Sequence, residues 1–321
     1  MTVAVRSDYE ELLKTLSEAS VERHFDAFAD ISWDDPRFEI IPDDPRWVLP
    51  AADLLGATDW YRGLPLHRQI EIGMYRQASI VKVGLQFEQI LIGGIMNFAM
   101  RLPNGSPEFR YATHEATEEC HHTQMFQELV NRIGAPVRGG PRWFRRLGPL
   151  MSYAAGVVPF GFFVGVLAGE EPIDYMQKTI LRSESELHPL LSRIMQIHIA
   201  EEARHIGFAH EYLQHTVTNL TARQRFLVAL ATPVVMRVLC DVIMKPGKQM
   251  CRDLQIPQSV VDEAWWDSPD SQRMLRDIFG DARMLVEELD LMTPAAARMW
   301  RAMKIDGRPS RFRNEPRRAA G

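Results

Sequence analysis

The segment IHIAEEARHIGF, residues 197–208, carries three possible metal ligands at helical spacing. His198, Glu202 and His205 stand four and three residues apart, which in an α-helix places them within one narrow sector of the surface. The rest of that stripe is apolar, so the three polar side chains are expected to point inward. Because an isolated buried charge is costly, the pattern indicates either a hydrogen-bonded polar cluster or part of a metal site.

A second segment, ATHEATEECHHTQMF, repeats the Glu-x-x-His pattern with Glu119 and His122. Helical bundles that bind two metal ions take a Glu-x-x-His from each of two helices and a single Glu from each of two others. Glu88 lies 31 residues before Glu119, and Glu171 lies 31 residues before Glu202. The equal spacing predicts two antiparallel helical hairpins that bring four carboxylates to one level of a bundle.

The first motif has two possible registers. His114, Glu118 and His121 also stand at four-and-three spacing, so they copy the second motif in form. The face through Glu119 and His122 continues as an apolar stripe, and only that register keeps the 31-residue spacing. Glu119 and His122 are therefore favoured as ligands, with Glu118 and His121 as the alternative.

The second hairpin also leaves a choice between neighbouring glutamates. Glu170 breaks the spacing match that Glu171 keeps, although Pro172 distorts the local helix and weakens the distinction. Glu201 lies about 100° away from the stripe that holds Glu202, and is expected at the surface or beside a ligand.

The elements that must position these residues are all helices, since no alternation of period two lasts long enough for a strand. A first helix is predicted over 7–23, within an N-terminal arm that covers residues 1–64. A helical domain is expected over 65–305, with an Arg-rich disordered tail over 306–321. The predicted fold is all-α, a ferritin-like four-helix bundle core with additional flanking helices. The periodic segments are 66–101, 107–133, 150–183, 189–219, 221–253, 258–266, 269–290 and 294–304.

Composition narrows the class of protein. The 321 residues are 46% hydrophobic and carry a net charge of −5, which argues against a nucleic-acid-binding protein. Three scattered cysteines and the absence of an apolar leader favour the reducing cytoplasm. The stretch 147–169 has 23 residues without a formal charge, but its prolines and glycines favour a buried helix over contact with a membrane.

Four carboxylates with imidazoles form a hard-to-borderline ligand set that suits iron, with manganese as the second choice. The whole pattern resembles the p-aminobenzoate N-oxygenase family, the AurF-type diiron oxygenases: a Glu, a Glu-x-x-His, then a second copy that ends in His-x-x-x-Glu-x-x-His. The resemblance covers roughly residues 66–220 and is expected to extend to 300. It implies seven metal ligands and no other catalytic residue. These ligands are Glu88, Glu119, His122, Glu171, His198, Glu202 and His205.

By this resemblance, the protein is expected to be a homodimer that holds two iron ions and uses O2 as co-substrate. It would oxygenate an arylamine to a hydroxylamine or nitro compound through a peroxo-bridged diferric intermediate. The residues themselves leave the substrate open. Two alternatives are hydroxylation or desaturation of an apolar chain, and iron handling by a ferritin-like protein without an organic substrate. No dinucleotide fingerprint or iron–sulfur cysteine set occurs, so electrons are expected from a ferredoxin, a reductase or a small reductant.

Overall fold

The computed structural model describes residues 2–183 and 185–315, and within those residues every regular element is helical. This confirms the predicted all-α class. The first seven helices are α1 (Thr2–Glu22), α2 (Asp59–Arg62), α3 (Leu66–Ala99), α4 (Glu108–Ile133), α5 (Arg142–Val157), α6 (Pro159–Leu181) and α7 (Pro189–Thr216). The remaining six are α8 (Ala222–Met244), α9 (Lys248–Asp253), α10 (Gln258–Asp262), α11 (Pro269–Ile278), α12 (Gly280–Glu288) and α13 (Pro294–Ala302).

Two long hairpins form the ferritin-like core. Helix α3 packs along α4, and α6 packs along α7, with further contacts between α4 and α7 and between α3 and α6. Helix α5 covers α3, helix α8 covers α6, and α1 lies across α4 and α7. The four core helices therefore enclose a central space that the flanking helices shield from water.

The ends of the core helices follow from local sequence. Pro189 occupies the first turn of α7, where its missing N–H would be unpaired in any case. Gly134 ends α4 in the left-handed conformation, with φ of 71°, which a residue with a side chain adopts only at a cost. Thr221 and Gln224 form a capping box at the start of α8.

The stretch predicted as one helix over 150–183 is two helices. Helix α5 ends at Val157, Val158 leaves the helical region at φ −133° and ψ 65°, and Pro159 opens α6. The uncharged stretch 147–169 is therefore interrupted at its centre. Two other stretches, Leu66–Ala99 and Ala222–Asp253, are long and apolar enough to cross a membrane, with 39% of each apolar window buried. Partly buried helices of this kind fit the core of a soluble protein.

The described part of the C-terminal segment, residues 306–315, has no regular element but contacts α12. The Arg283 guanidinium donates hydrogen bonds to the carbonyls of Ile305 and Arg308, and the Asn314 N–H donates to Asp281. These bonds hold residues 306–315 against α12. The remainder of the predicted tail, 316–321, lies outside the described residues.

Candidate metal centre

Seven ionisable side chains meet at mid-height of the bundle, and we call them the central cluster. Their nitrogen and oxygen atoms form three overlapping groups in which all atoms lie within 4.8 Å of one another. Each member is at most 3% exposed. The members are Glu88, Glu119, His122, Glu170, His198, Glu202 and His205.

The two Glu-x-x-His motifs form the middle of the cluster. His122 Nδ1 lies 3.0 Å from Glu119 and 3.4 Å from Glu202, so it contacts a carboxylate from each hairpin. His205 Nδ1 does the same, 2.8 Å from Glu119 and 3.3 Å from Glu202. The register with Glu119 and His122 inward is the one that the structure has. His121 instead lies near the surface, 3.6 Å from Asp26.

The structure differs from the sequence prediction at one of the seven positions. The Glu170 carboxylate, not that of Glu171, joins His198 and Glu202 in the cluster. Glu171 points to the other side of α6, where its Oε1 lies 2.7 Å from His210 Nε2. In an α-helix, the next residue points about 100° further around the axis but lies only about 1.5 Å further along it. Equal spacing along the chain could therefore not separate the two glutamates.

A signal for Glu170 was nevertheless present in the sequence. Lys178 stands seven residues after Glu171 on the same face of α6, so that face carries a cation near the carboxyl group. The equivalent residue for Glu170 is Gln177, and Ile173 lies beside Glu170 on the same side of the helix. The charge pattern therefore favours Glu170 over Glu171 as the residue that faces the bundle interior.

A reciprocal brace holds the two motif histidines. His122 Nε2 lies 2.9 Å from Glu201, and His205 Nε2 lies 2.8 Å from Glu118, so each histidine is held by the glutamate that precedes the other motif. Arg204 joins the two carboxylates, 2.9 Å from Glu118 and 3.6 Å from Glu201. Because each Nε2–H donates outward, each Nδ1 faces the cluster and can bind a metal ion.

Sequence reasoning placed Glu201 either at the surface or beside a ligand, and it did not foresee the brace. Glu201 is fully buried and its Oε1 also accepts a hydrogen bond from the Phe25 backbone N–H, at 3.0 Å. The only sequence signal was the doubled glutamate in each motif. The N-terminal segment after α1 therefore helps to orient Glu201, 176 residues away along the chain, which in turn holds His122.

The carboxyl groups of the central cluster oppose one another's ionisation. Burial raises the pKa of Glu88 well above its ordinary value, and the nearby carboxylates of Glu119, Glu170 and Glu202 raise it further. Burial and then Glu202 raise the pKa of Glu170 in the same way. Burial and Glu202 also act against ionisation of Glu119, but His122 and His205 outweigh them and lower its pKa to about 2. Four carboxylates in a dry core need compensating positive charge.

His198 stands apart from the other two histidines. Its Nδ1 lies 3.0 Å from the Gln177 side-chain oxygen, and its Nε2 lies 3.5 Å from both Glu88 and Glu202. Burial lowers the pKa of His198 to about 4, so the imidazole is neutral at physiological pH and available as a ligand. In the first hairpin the equivalent position is Glu115, a buried carboxyl group whose pKa burial raises well above the ordinary value.

The donor set fits two divalent metal ions. Glu88 Oε2 and Glu202 Oε2 are buried without a hydrogen-bond partner among the described residues, which is the state expected of metal-ligating oxygens. Two divalent cations bound by these oxygen and imidazole donors would neutralise the charge of four carboxylates. Comparison with known proteins agrees with this geometry, because the model of the family described as p-aminobenzoate N-oxygenase AurF matches residues 6–290.

The chain belongs to this family. The match covers both hairpins, so it extends the resemblance drawn from the motifs alone to nearly the whole chain. The family is one of oxygenases with two iron ions. Membership therefore supports an oxidoreductase that binds metal through the central cluster.

Two similar proteins come from mycobacteria. The uncharacterized protein MT0908 of Mycobacterium tuberculosis (strain CDC 1551 / Oshkosh) is 54% identical over 318 residues, which are 99% of this chain and 94% of that protein. The uncharacterized protein Mb0909 of Mycobacterium bovis (strain ATCC BAA-935 / AF2122/97) is 53% identical over the same shares of the two chains. The whole fold, including both hairpins, is thus shared with full-length relatives.

Proposed function

We propose that this protein is an O2-dependent diiron oxygenase that oxygenates the nitrogen of an amine. The observation that carries the proposal is the central cluster, in which four carboxylates and three imidazoles from four helices face one dry space. Membership in the p-aminobenzoate N-oxygenase family supports the same chemistry.

The residues that would hold the two iron ions are Glu88, Glu119, His122, Glu170, His198, Glu202 and His205. Bound iron would supply the reductive activation of O2 that oxygenation of an amine requires. Glu119 and Glu202 each lie beside the histidines of both motifs, so both carboxylates would help to hold the ions at the middle of the cluster.

The protein's own contribution is to fix the ligands and to exclude water. The brace from Glu118, Glu201 and Arg204 fixes the ring orientation and tautomer of His122 and His205. The Phe126 ring packs against both His122 and His198, with centroids 6.2 and 5.1 Å away, and shields that side of the cluster. Converting an amine to a hydroxylamine with O2 consumes two electrons and two protons, and we propose an external reductant for this protein.

The test begins with anaerobic loading of ferrous iron, followed by reaction with O2, a reductant and a panel of amines. We expect about two irons per chain, and a hydroxylamine or nitro product that carries oxygen from labelled O2. Product analysis separates a second candidate, hydroxylation or desaturation of an apolar chain, which the apolar walls beside Glu88 and His198 favour. Oxidised carbon with an intact amine would support that candidate. Iron oxidation with core accumulation and no organic product would contradict both.

Two further expectations accompany the proposal. A homodimer in solution stays a prediction, and sedimentation of the full chain tests it. A cytoplasmic location also stays a prediction, and fractionation of the native host tests it. A monomer at micromolar concentration would contradict the first, and recovery in the membrane fraction would contradict the second.

A further inference from the structure

A narrow internal cavity begins at the central cluster and runs along the bundle. Its cluster end is formed by Glu88, Glu170 and His198. On α3 the wall continues from Glu88 back to Gln77, eleven residues or roughly 16 Å along the helix. On α6 it runs from Glu170 to Ile180, a similar length. The cavity is therefore elongated and parallel to the helices.

The cavity is narrow as well as long. Its volume is about 50 Å³, enough for only about four ordered water molecules. Gly84 and Gly169 line it, and a Cβ at either position would meet an aromatic ring: Phe126 at 3.4 Å from position 84 and Phe87 at 2.8 Å from position 169. A rigid ring needs this passage to widen, whereas a single methylene chain needs the smallest adjustment. Met176, Met195 and Met244 line the cavity too, and their flexible side chains can make that adjustment.

The ionisable side chains around the cavity are three carboxyl groups and one imidazole. Among the described residues that line it, these are Glu88, Glu170, Asp53 and His198, and there is no lysine or arginine. Arg76 is not on the wall: it is paired with Asp53 at 3.2 Å and packs over the Trp265 ring. An anionic group in the apolar middle of the cavity would thus be buried without a cation, which is strongly unfavourable.

We propose that the cavity binds an amine carried on an unbranched, uncharged apolar chain, with the nitrogen at the end formed by Glu88, Glu170 and His198. An extended chain advances about 1.3 Å per carbon, so roughly twelve carbons would span the wall between Glu88 and Gln77 once the flexible side chains have moved aside. The substrate class thereby differs from the anionic arylamine in the family's name. This inference rests on the proposed function, because the cluster supplies the end at which the nitrogen reacts.

Binding to the iron-loaded, oxygen-free protein tests the proposal without any turnover. Calorimetry with straight-chain amines from butylamine to hexadecylamine should show affinity rising about threefold to fourfold per methylene, then a plateau where the cavity ends. A second pair, p-toluidine and p-aminobenzoate, differs only in the anionic group. We expect p-aminobenzoate to bind at least about 30-fold more weakly, because its carboxylate has no cation to meet.

Two substitutions of Ile180, at the end of the cavity away from the central cluster, test its length. Ile180→Phe should move the plateau to shorter amines, and Ile180→Ala should move it to longer ones, while the exposed Val238→Ala should leave it unchanged. Opposite shifts support the proposal, and if one variant folds poorly the other still tests it, since each has its own predicted direction. Equal or tighter binding of p-aminobenzoate, or a plateau that neither Ile180 variant moves, would overturn it. Failure of the proposed function differs from both, since it would show as loss of stoichiometric iron or of any reaction with O2.

Discussion

The two hairpins of the core carry the same Glu-Glu-x-x-His motif but surround it differently. In both, the second glutamate and the histidine face the central cluster, and the first glutamate holds the histidine of the other hairpin. The residue one turn before the inner glutamate is His198 in the second hairpin but Glu115 in the first. The motif is thus shared, whereas its flank is not.

Only one of these two residues lies on the elongated cavity. His198 lines the elongated cavity together with Glu88 and Glu170. Glu115 does not line that cavity; it lies near Tyr111 and His205, and neither of its oxygens has a hydrogen-bond partner among the described residues. Under the proposed function, the residues shared by the two hairpins and His198 would hold the metal ions, and His198 would also face the cavity proposed to bind the substrate.

The largest effect is expected where the two halves meet. Glu202 contacts His122, His198 and His205, so Glu202→Ala should abolish stoichiometric iron binding and reduce oxygenation to background. Elemental analysis after ferrous loading measures this directly. Glu211→Ala, on the same helix but outside the cluster, is the control and should retain iron. A Glu202→Ala protein with two irons would contradict the shared centre.

Substitution of His198 and of Glu115 should change iron affinity by different amounts. His198→Ala should keep the helical fold, lower the affinity for iron by about 10-fold to 100-fold and slow the reaction with O2, because one ligand is lost. Glu115→Gln, at the equivalent position of the first hairpin, should leave iron affinity nearly unchanged. Iron titration and stopped-flow absorbance measure the two effects. Equal losses in both variants would show that the halves do not differ in function.

The reciprocal brace should give intermediate effects of similar size in both halves. Glu118→Gln and Glu201→Gln each weaken the hold on the histidine of the opposite hairpin, so each should lower metal affinity about 10-fold to 100-fold. In a His122→Ala background, Glu201→Gln should lower metal affinity little further, because Glu201 holds the histidine that is already removed. In the same background, Glu118→Gln should lower metal affinity by its full amount, because Glu118 holds His205. Full additivity in both combinations would contradict the crossed arrangement.

The smallest effect is expected on the stability of the metal-free protein. Burial raises the pKa of Glu115 above its ordinary value of 4.5, so the folded protein holds a proton that the unfolded chain releases above that pH. The free energy of unfolding therefore falls as pH rises above about 4.5. Glu115→Gln removes this loss and should raise Tm at pH 7 by a few degrees, with the gain vanishing near pH 4. Scanning calorimetry checks this, and a lower Tm at pH 7 would show that the carboxylate has an ionic role.

Much of the fold follows from the sequence because the core helices are long, periodic and bounded by proline or glycine. The predicted segments 66–101, 107–133 and 189–219 correspond closely to α3, α4 and α7. The segment 150–183 failed because its uniform apolar composition hides the break at Val158. A single Pro159 was the signal, and it was outweighed by hydrophobicity.

The height of the site in the bundle was predictable, and the helix face was predictable at six of the seven positions. Spacing along the chain fixes height in the bundle, so it located the level of Glu170 but not its direction. The brace could not be foreseen, since it depends on how α4 and α7 pack and on where the Phe25 backbone lies. The elongated cavity likewise arises from side chains of several helices that only the tertiary structure brings together.

The most direct test of the metal centre compares iron content in two neighbouring variants. Glu170→Ala removes a carboxylate that faces the cluster, and Glu171→Ala removes one that faces His210. After identical ferrous loading and desalting, we predict that Glu170→Ala loses at least about half of the iron and that Glu171→Ala keeps about two irons per chain. The reverse result, with iron lost only in Glu171→Ala, would contradict the centre described here.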